Sequence, residues 1–545
     1  MKGFSTYTYP LFFILVLNSF QSFSGSILKN EPPYATNSIV GTDKVIDPSN
    51  IDSQTDVRVA TAVNGWIYAA YIRANGTTNA GIKVKRSKDN GQSWKNVCNV
   101  TLTNERFVSG LDIIVCGNDS ASMVIYLMSV DHNLTIGKYT VFIKKYDGNT
   151  GALLSNCYTE PNSYSYPIID CALTTDFLFP SIVSNPYSIG AIFSLRSNPQ
   201  DSMIFVYSTD GGNTFTRQLI DTTDNYFGGV SIAYGKSLSQ PNGKFFVAYQ
   251  KKDGANTQIG GIRTAHTKDF PGSPFTVPFE IDTLVGSTTN VCSMPSIACQ
   301  INNTDNDSSD LTTVIMLERD FNGQHYNQDV LGFVNKNSKG NYWERFNVLT
   351  GSSSNAKQPN IIFDFVKNTF LATYWDSTTG KMPLTYKDIN FTNSNVWMNL
   401  LSQYNDTNTN IEDAKPHLSV NPLNGRTNIV WISGGKNVEG TAYFDTNVSL
   451  VGMDEDMRLN NNLSCYPNPA DNETNLSFIL SGSAAIAIEI TDLSGRLITK
   501  THQQIFQSGT NTISVNTEIL PEGYYLVSLK SPDLAITNKL IISHR

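Results

Sequence analysis

The chain has 545 residues and a formal net charge of -8, with 40% hydrophobic and only 16% charged residues. That acidic balance offers no basic field for phosphates and excludes nucleic acid as an expected partner, while the length calls for more than one folding unit. Plentiful Gly, with 25 Tyr and 28 Phe, suits many short strands joined by turns and leaves little for helices.

At the start, Met1-Lys2, the apolar run Leu11 to Leu17 and the small residues Ser22 to Gly25 read as a secretory signal peptide over residues 1–24. The run is too short to span a bilayer comfortably and no second one follows, so no transmembrane segment is expected after cleavage. Export permits disulfides, and proximity pairs Cys98 with Cys116, Cys157 with Cys171 and Cys292 with Cys299, leaving Cys465 over. No pair has a His at ligand spacing, so neither a metal nor a cofactor is expected.

From Asp56 to Leu450 the sequence repeats with a period of roughly 55 to 60 residues, which suits a four-stranded blade. Short strands led by proline recur at Phe179-Pro180-Ser181-Ile182, Met294-Pro295-Ser296-Ile297, Gln358-Pro359-Asn360-Ile361 and Lys415-Pro416-His417-Leu418. Val57 to Ala60, Leu111 to Ile114 and Val230 to Ala233 keep the strand without the proline. Apolar second strands follow, such as Trp66 to Ile72, Met123 to Met128, Ile189 to Leu195 and Thr427 to Ile432.

A third element is more specific. Ser87-Lys88-Asp89-Asn90-Gly91-Gln92-Ser93-Trp94 and Ser208-Thr209-Asp210-Gly211-Gly212-Asn213-Thr214-Phe215 share the pattern Ser-x-Asp-x-Gly-x-Ser/Thr-aromatic. Asp and Ser or Thr side chains can bond turn amides, Gly takes a conformation other residues resist, and the aromatic covers the sheet edge. Poorer copies occur at Tyr146 to Asn149 and Thr267 to Phe270, with weaker ones before Trp343 and Trp397. In phase with the repeats, these turns resemble the Asp-box of the sialidase-like (BNR) propeller superfamily, a likeness covering roughly 400 residues at the level of fold. The structural Asp-box residues are then Ser87, Asp89, Gly91, Trp94, Ser208, Asp210, Gly212 and Phe215.

The expectation is an all-β chain: a seven-bladed β-propeller over residues 25–453, six-bladed if the ends are misread, closed by a strand from Ser38 to Ile46. An acidic, Asn-rich linker at 454–463 leads to alternating strands and tight turns at 464–545, expected as a small Ig-like β-sandwich. Its Tyr466-Pro467-Asn468-Pro469, Asp492-Leu493-Ser494-Gly495, Leu520-Pro521-Glu522-Gly523-Tyr524-Tyr525 and final Lys539-Leu540-Ile541 resemble the C-terminal sorting domain of type IX secretion cargo in Bacteroidota. That resemblance implies a partnership of residues 464–545 with the type IX secretion machinery, and a secreted or outer-membrane surface-attached product.

In propellers of the resembling kind the ligand face carries the loops from second to third strand and those leading into first strands. Candidate ligand-face residues are therefore Arg58, Arg73, Arg196, Lys251, Glu318, Arg319 and Asp376, with Asp56, Asp176, Tyr226, Lys357 and Lys415 on incoming loops. Together they suggest a cationic funnel suited to an acidic sugar. Arg73, Arg196 and Arg319 can be read as a sialidase-like triad with Glu318 nearby, yet the family's Arg-Ile-Pro signature is absent at Val57-Arg58-Val59. His266, His325 and Tyr326 are candidate lyase bases. The expected function is a binding module for extracellular glycan or protein, with a sialidase-like hydrolase or polysaccharide lyase as the alternative and a non-enzymatic adhesin as the second; no catalytic residue is assigned.

Overall fold

The computed structural model describes residues 38–449 and 460–544, except 41, 50–51, 76–78, 102–105, 118–120, 162–167, 169, 178–186, 197–199, 238–239, 253–260, 268–274, 282–290, 302–310, 321–327, 337–342, 348–354, 389–396, 402, 406–413, 424, 435–439, 481–483, 493–495, 501–503, 507–508 and 532–533. The expected signal peptide lies outside them. Among the described residues there is no α-helix; β-branched and aromatic runs between turns pair into antiparallel sheets of consecutive strands.

Sheet 1 comprises Ser53–Thr61, Ile67–Asn75, Asn79–Ser87 and Lys95–Thr101, and sheet 2 comprises Arg106–Cys116, Val124–Asn133, Lys138–Asp147 and Leu153–Thr159. Sheet 3 comprises Cys171–Thr175, Ile189–Leu195, Asp201–Ser208 and Thr216–Thr223, and sheet 4 Tyr226–Ser237, Gln240–Lys252, Gly261–His266 and Phe279–Glu280. Sheet 5 comprises Val291–Cys299, Thr313–Asp320, Gln328–Asn335 and Glu344–Asn347, and sheet 6 Ala356–Asp364, Thr369–Asp376, Leu384–Asp388 and Met398–Leu401. In sheet 7, His417–Val420, Thr427–Ser433 and Thr441–Ser449 are joined by Ser38–Val40 and Lys44–Val45, which pair with the edge of Thr441–Ser449.

The first strand of each sheet packs on the first strand of the next, and that of sheet 7 packs on that of sheet 1, so the sheets form a closed propeller with their first strands innermost. Apolar side chains fill the spaces between neighbouring sheets: Tyr68, Val84 and Ile125 between sheets 1 and 2, Val57, Tyr71, Ile432 and Phe444 between sheets 7 and 1. The returning N-terminal segment is pinned by Asp47, whose buried carboxylate accepts from Tyr71 Oη at 2.6 Å and pairs with Lys83 at 3.0 Å and Lys85 at 2.8 Å.

The two Ser-x-Asp turns have the same bonding. Ser87 Oγ donates to Asp89 at 2.7 Å and accepts Gly91 N–H at 2.8 Å, while Asp89 accepts Ser93 N–H at 2.9 Å. Ser208, Asp210, Gly212 and Thr214 repeat this at 2.7, 2.8 and 2.9 Å. Those bonds stabilise the carboxylates: against partial desolvation, which raises it, Asp210 is held down at about 2, and Asp89 is also lowered. Each turn also docks on the preceding sheet. Trp94 lies edge-on to Phe444 of sheet 7 with ring centroids 5.1 Å apart, and Tyr126 of sheet 2 donates to Gly211 O at 2.5 Å. The poorer copy at Asp147 behaves alike, with Tyr68 and Arg86 of sheet 1 donating to Gly148 O at 3.1 and 2.9 Å.

Two expectations need correction. The innermost strand of sheet 3 is Cys171–Thr175, in register with Ile189–Phe193, and not Phe179 to Ile182, whose residues fall outside those described; alternating Ala172, Leu173 and Thr174 fit a strand without a leading proline. The expected disulfides are not formed: all seven cysteines are free thiols. Cys292 and Cys299 lie at the two ends of one strand, roughly 20 Å apart at the usual rise, far beyond the roughly 7 Å a disulfide tolerates. Cys98 and Cys157 sit on outermost strands while Cys116 and Cys171 sit on innermost strands, so proximity along the chain is undone by the width of a sheet.

In the C-terminal unit, one sheet holds Asn460–Tyr466, Glu473–Leu480 and Gly509–Asn516; the other holds Leu497–Lys500, Ala484–Asp492, Gly523–Ser531 and Leu534–Ile542, with Gln504–Phe506 beside Ala484–Asp492. Leu476, Phe478, Ile488, Val527, Leu529 and Leu540 from both sheets share one core. The strand beginning at Asn460 starts within the expected linker, whose residues 454–459 are not among those described.

A Cβ on Gly91, at φ 84°, would come within 1.9 Å of the Phe444 ring. Gly91→Ala should therefore cost more than about 2 kcal/mol, whereas Gly137→Ala, at φ 60° with nothing within 4 Å, should cost about 1 kcal/mol; thermal or denaturant melts compare them. Thiol labelling of the denatured, unreduced chain should add seven adducts by mass, in keeping with seven free thiols; a smaller number would reveal a bond.

Candidate functional site

The first strands leave a cavity of about 440 Å³ along the axis of the ring, lined by all seven sheets. An innermost strand has no neighbour on its axial edge, so its N–H groups there need other acceptors. Side chains of the preceding sheet supply them. Asp112 Oδ2 accepts Leu173 N–H at 2.7 Å, Asp170 Oδ2 accepts Val230 N–H at 3.2 Å, and Ser231 Oγ accepts Ile297 N–H at 3.1 Å. Ser296 Oγ accepts Ile361 N–H at 3.0 Å, Asn360 Oδ1 accepts Leu418 N–H at 2.9 Å, and His417 Nδ1 accepts Val59 N–H at 3.3 Å. At the remaining junction Arg58 has no acceptor to offer, and Ile113 N–H goes to its own Asp112 Oδ1 at 2.8 Å.

One mouth of the cavity is strongly shaped. The first strands of sheets 1, 2, 4, 5 and 6 carry register shifts there, at Gln54/Asp56, Val108/Gly110, Phe227/Val230, Ser293/Ser296 and Lys357/Asn360. Bulges of this kind re-aim side chains. Met294, Gln358 and Lys415, each just before a proline, have φ of 46°, 51° and 46°, a left-handed conformation that non-glycine residues hold only where the surroundings over-determine it. All three line the mouth, together with Asp56, Arg58, Asp112 and Asp170.

Arg58 pairs with Asp56 and donates to Val57 O at 3.1 Å. Burial works against its charge, but Asp56, Asp112 and Asp170 outweigh it and raise Arg58 above its ordinary value. Burial pushes Asp112 up to about 6, against the opposing pull of Arg58 and two amide donors, and Asp170 is raised by the same cause. His417 is lowered to about 3, by burial first and then by Arg58, so it stays a neutral acceptor. At the far end the lining turns apolar, with Phe177, Tyr234, Ile301, Phe365 and Val420.

Of the seven candidate ligand-face residues, Arg58 lines this cavity and the other six do not. Register puts Arg73, Lys251, Glu318, Arg319 and Asp376 opposite Gln54, Phe227, Ser293, Cys292 and Ala356, on the same face but one strand further out. Their charges are engaged locally. Arg73 meets Asp52 at 3.3 Å, Arg196 meets Asp201 at 3.8 Å, and Lys251 meets Asp221 at 3.1 Å. Glu318 accepts Gln358 N–H at 3.1 Å, and Asp376 accepts Thr379 Oγ1 at 2.7 Å; Arg319 is buried. The three arginines read as a triad thus do not converge on the cavity. Asp56 and Lys415 do line it, Asp176 instead holds Ser188 N–H at 2.7 Å, and Lys357 lies 6.0 Å from the Trp375 ring. His266 is buried with Nδ1 2.9 Å from Thr267 O; His325, Tyr326 and the Tyr226 side chain lie outside the described residues.

The sequence reading missed Asp112, Asp170 and His417. A usable signal existed for part of the set: Ser296, Asn360 and His417 each follow the strand-leading proline directly, a polar residue where the strand is otherwise apolar.

Residues 464–543 match the family described as the secretion system C-terminal sorting domain. The chain is accordingly exported, to the cell surface or beyond it, by way of the type IX secretion system. No curated protein matches the sequence. Among solved structures, the chain is similar to the Penicillium chrysogenum alpha-L-arabinanase complexed with arabinobiose, at 12% identity over 74% of this chain and 98% of that one, with a TM-score of 0.40. PorZ of Porphyromonas gingivalis, a surface component of the type IX secretion system, gives 14% identity over 89% and 59%, with a TM-score of 0.36. Trypanosoma rangeli sialidase gives 10% over 93% and 89%, with a TM-score of 0.37.

The raised Asp112 has a definite pH signature. Between its ordinary 3.8 and about 6, the folded chain keeps a proton that the unfolded chain releases, so this group's stabilisation is full below 3.8 and is lost as pH rises through 6. Asp112→Asn should remove that descending component. Melting temperatures of both proteins from pH 3.5 to 7 check it, the expected result being a difference curve that changes across this window and is flat above it.

Proposed function

We propose that this chain is an exported seven-bladed propeller with Asp-box turns on one face, and that the opposite mouth binds extracellular glycan or protein. The signal peptide at 1–24, propeller at 25–453, linker at 454–463 and Ig-like sorting sandwich at 464–545 belong to the same reading. The observation that carries it is Arg58 held among Asp56, Asp112 and Asp170 at the mouth of a cavity of about 440 Å³, within the size range of ligand pockets. Binding is favoured over cleavage because Asp112 and Asp170 are already engaged by backbone amides that join the sheets, and because Arg73, Arg196 and Arg319 do not meet there.

Hydrolysis is the second reading, and one feature favours it: Asp112, pushed up to about 6, stands in the same lining as Asp56 and Asp170, and carboxyls with separated protonation behaviour can divide acid and base roles. A glycan panel scored for both binding and reducing-end release separates the two. Retention of ligand without product, weakened at least tenfold by Arg58→Lys at unchanged melting temperature, supports binding; released sugar would transfer the proposal to the enzyme. In the source bacterium, removing residues 464–545 should leave the propeller in the periplasm, measured by cell fractionation, while the full chain reaches the surface or medium.

A further inference from the structure

We propose, building on the reading of the mouth as a glycan site, that the sugar it takes is uncharged and rich in hydroxyls, and that acidic glycans are turned away. Sequence alone suggested the opposite, a cationic funnel, but the charges that the fold gathers differ from those the strand ends advertised. The described lining holds the carboxylates Asp56, Asp112 and Asp170 against Arg58 and Lys415. Arg58 is already paired with Asp56 and lies in the field of the other two. Arg58 uses only Nη1 for Asp56 and Val57 O, so a ligand carboxylate or sulfate that reached its other N–H groups would sit against Asp56 and the two further carboxylates, a like-charge contact that specificity is commonly built on.

Hydrogen-bond supply points the same way. An anion needs donors, and the axial N–H groups of Val59, Leu173, Val230, Ile297, Ile361 and Leu418 are already given to side chains of the preceding sheet. The wall keeps both kinds of group: each oxygen of Asp112 and Asp170 takes one amide and keeps a further lone pair, while the hydroxyls of Ser231 and Ser296, the Asn360 amide nitrogen and His417 Nε2 can donate. Sugar hydroxyls, which donate and accept, match such a surface at no cost in charge. On the rim, Arg73, Arg196 and Lys251 are paired with Asp52, Asp201 and Asp221, so these three cations do not restore an anion site.

Titration calorimetry of the exported chain with size-matched neutral, uronic-acid, sulfated and amino oligosaccharides tests this. The expected result is that a neutral sugar binds at least tenfold more tightly than its acidic counterpart, with an affinity that holds from roughly 50 to 500 mM salt. The Asp56→Asn/Asp170→Asn double variant should narrow the gap toward acidic sugars; the salt series on the unaltered chain decides the matter if that variant does not fold. Acidic sugars bound equally or better, with loss on Arg58→Lys, would overturn the charge inference and leave the binding site standing. Preference for amino sugars would likewise overturn it, and silence toward every sugar would overturn the glycan reading as well.

Discussion

The ring depends on how the axial edges of the innermost strands are satisfied. Hydrogen bonds within each sheet stop at its first strand, and a row of unpaired N–H groups facing a cavity would be costly if water could not reach them all. Here one side chain from each of sheets 2 to 7 crosses to the first strand of the next sheet, and the last of these, His417 to Val59, joins the end of the ring to its beginning. Thr61 Oγ1, 2.7 Å from Ser419 Oγ and accepting Asn428 Nδ2–H at 3.0 Å, reinforces that same seam. The crossing residues must be short acceptors, which is why Asp, Ser, Asn and a neutral His occupy positions between apolar neighbours.

A second set of contacts locks the opposite face. Turns at Asp89, Asp147 and Asp210 are rigid because their carboxylates hold the turn amides, and rigidity lets the carbonyls of Gly148 and Gly211 serve as fixed acceptors for Tyr68 and Tyr126 on the sheet before. Sheets 2 and 3, and likewise sheets 7 and 1, are thus tied at the inner strand and at the outer turn, with apolar side chains between. Such a two-point attachment fixes the angle between sheets. It also leaves the mouth free to carry bulges and left-handed residues without loosening the ring.

The parts visible in the sequence are those whose chemistry is local. Ser87 to Trp94 and Ser208 to Phe215 hold the bonds of their Ser and Asp side chains within eight residues, and the second strands announce themselves by continuous apolar runs that are buried throughout, as in Ile189–Leu195. The tail was legible for the same reason, through short motifs in fixed order. What escaped depends on closure. Asp112 and Asp170 acquire their roles from Leu173 and Val230, about 60 residues further along, a relation that no local spacing encodes. The cysteine pairs failed because sequence distance ignores the sheet between outermost and innermost strands. The pairing of the rim charges escaped because their partners, Asp52, Asp201 and Asp221, lie on neighbouring strands or loops that could be placed only once the register was known.

Arg58 stands in sheet 1 where Ser296, Asn360 and His417 stand in theirs, immediately before the residue whose amide donates the crossing bond. It is the wrong residue for the ring, because a guanidinium cannot accept a hydrogen bond. The junction it faces is repaired from the other side, where Asp112 caps its own neighbour through one oxygen and reaches sheet 3 through the other. Stability alone would favour an acceptor at position 58. A residue that costs the ring one bridge, lies half-buried among carboxylates and sits at the mouth where the bulges converge is a local exception to the pattern that the other sheets follow.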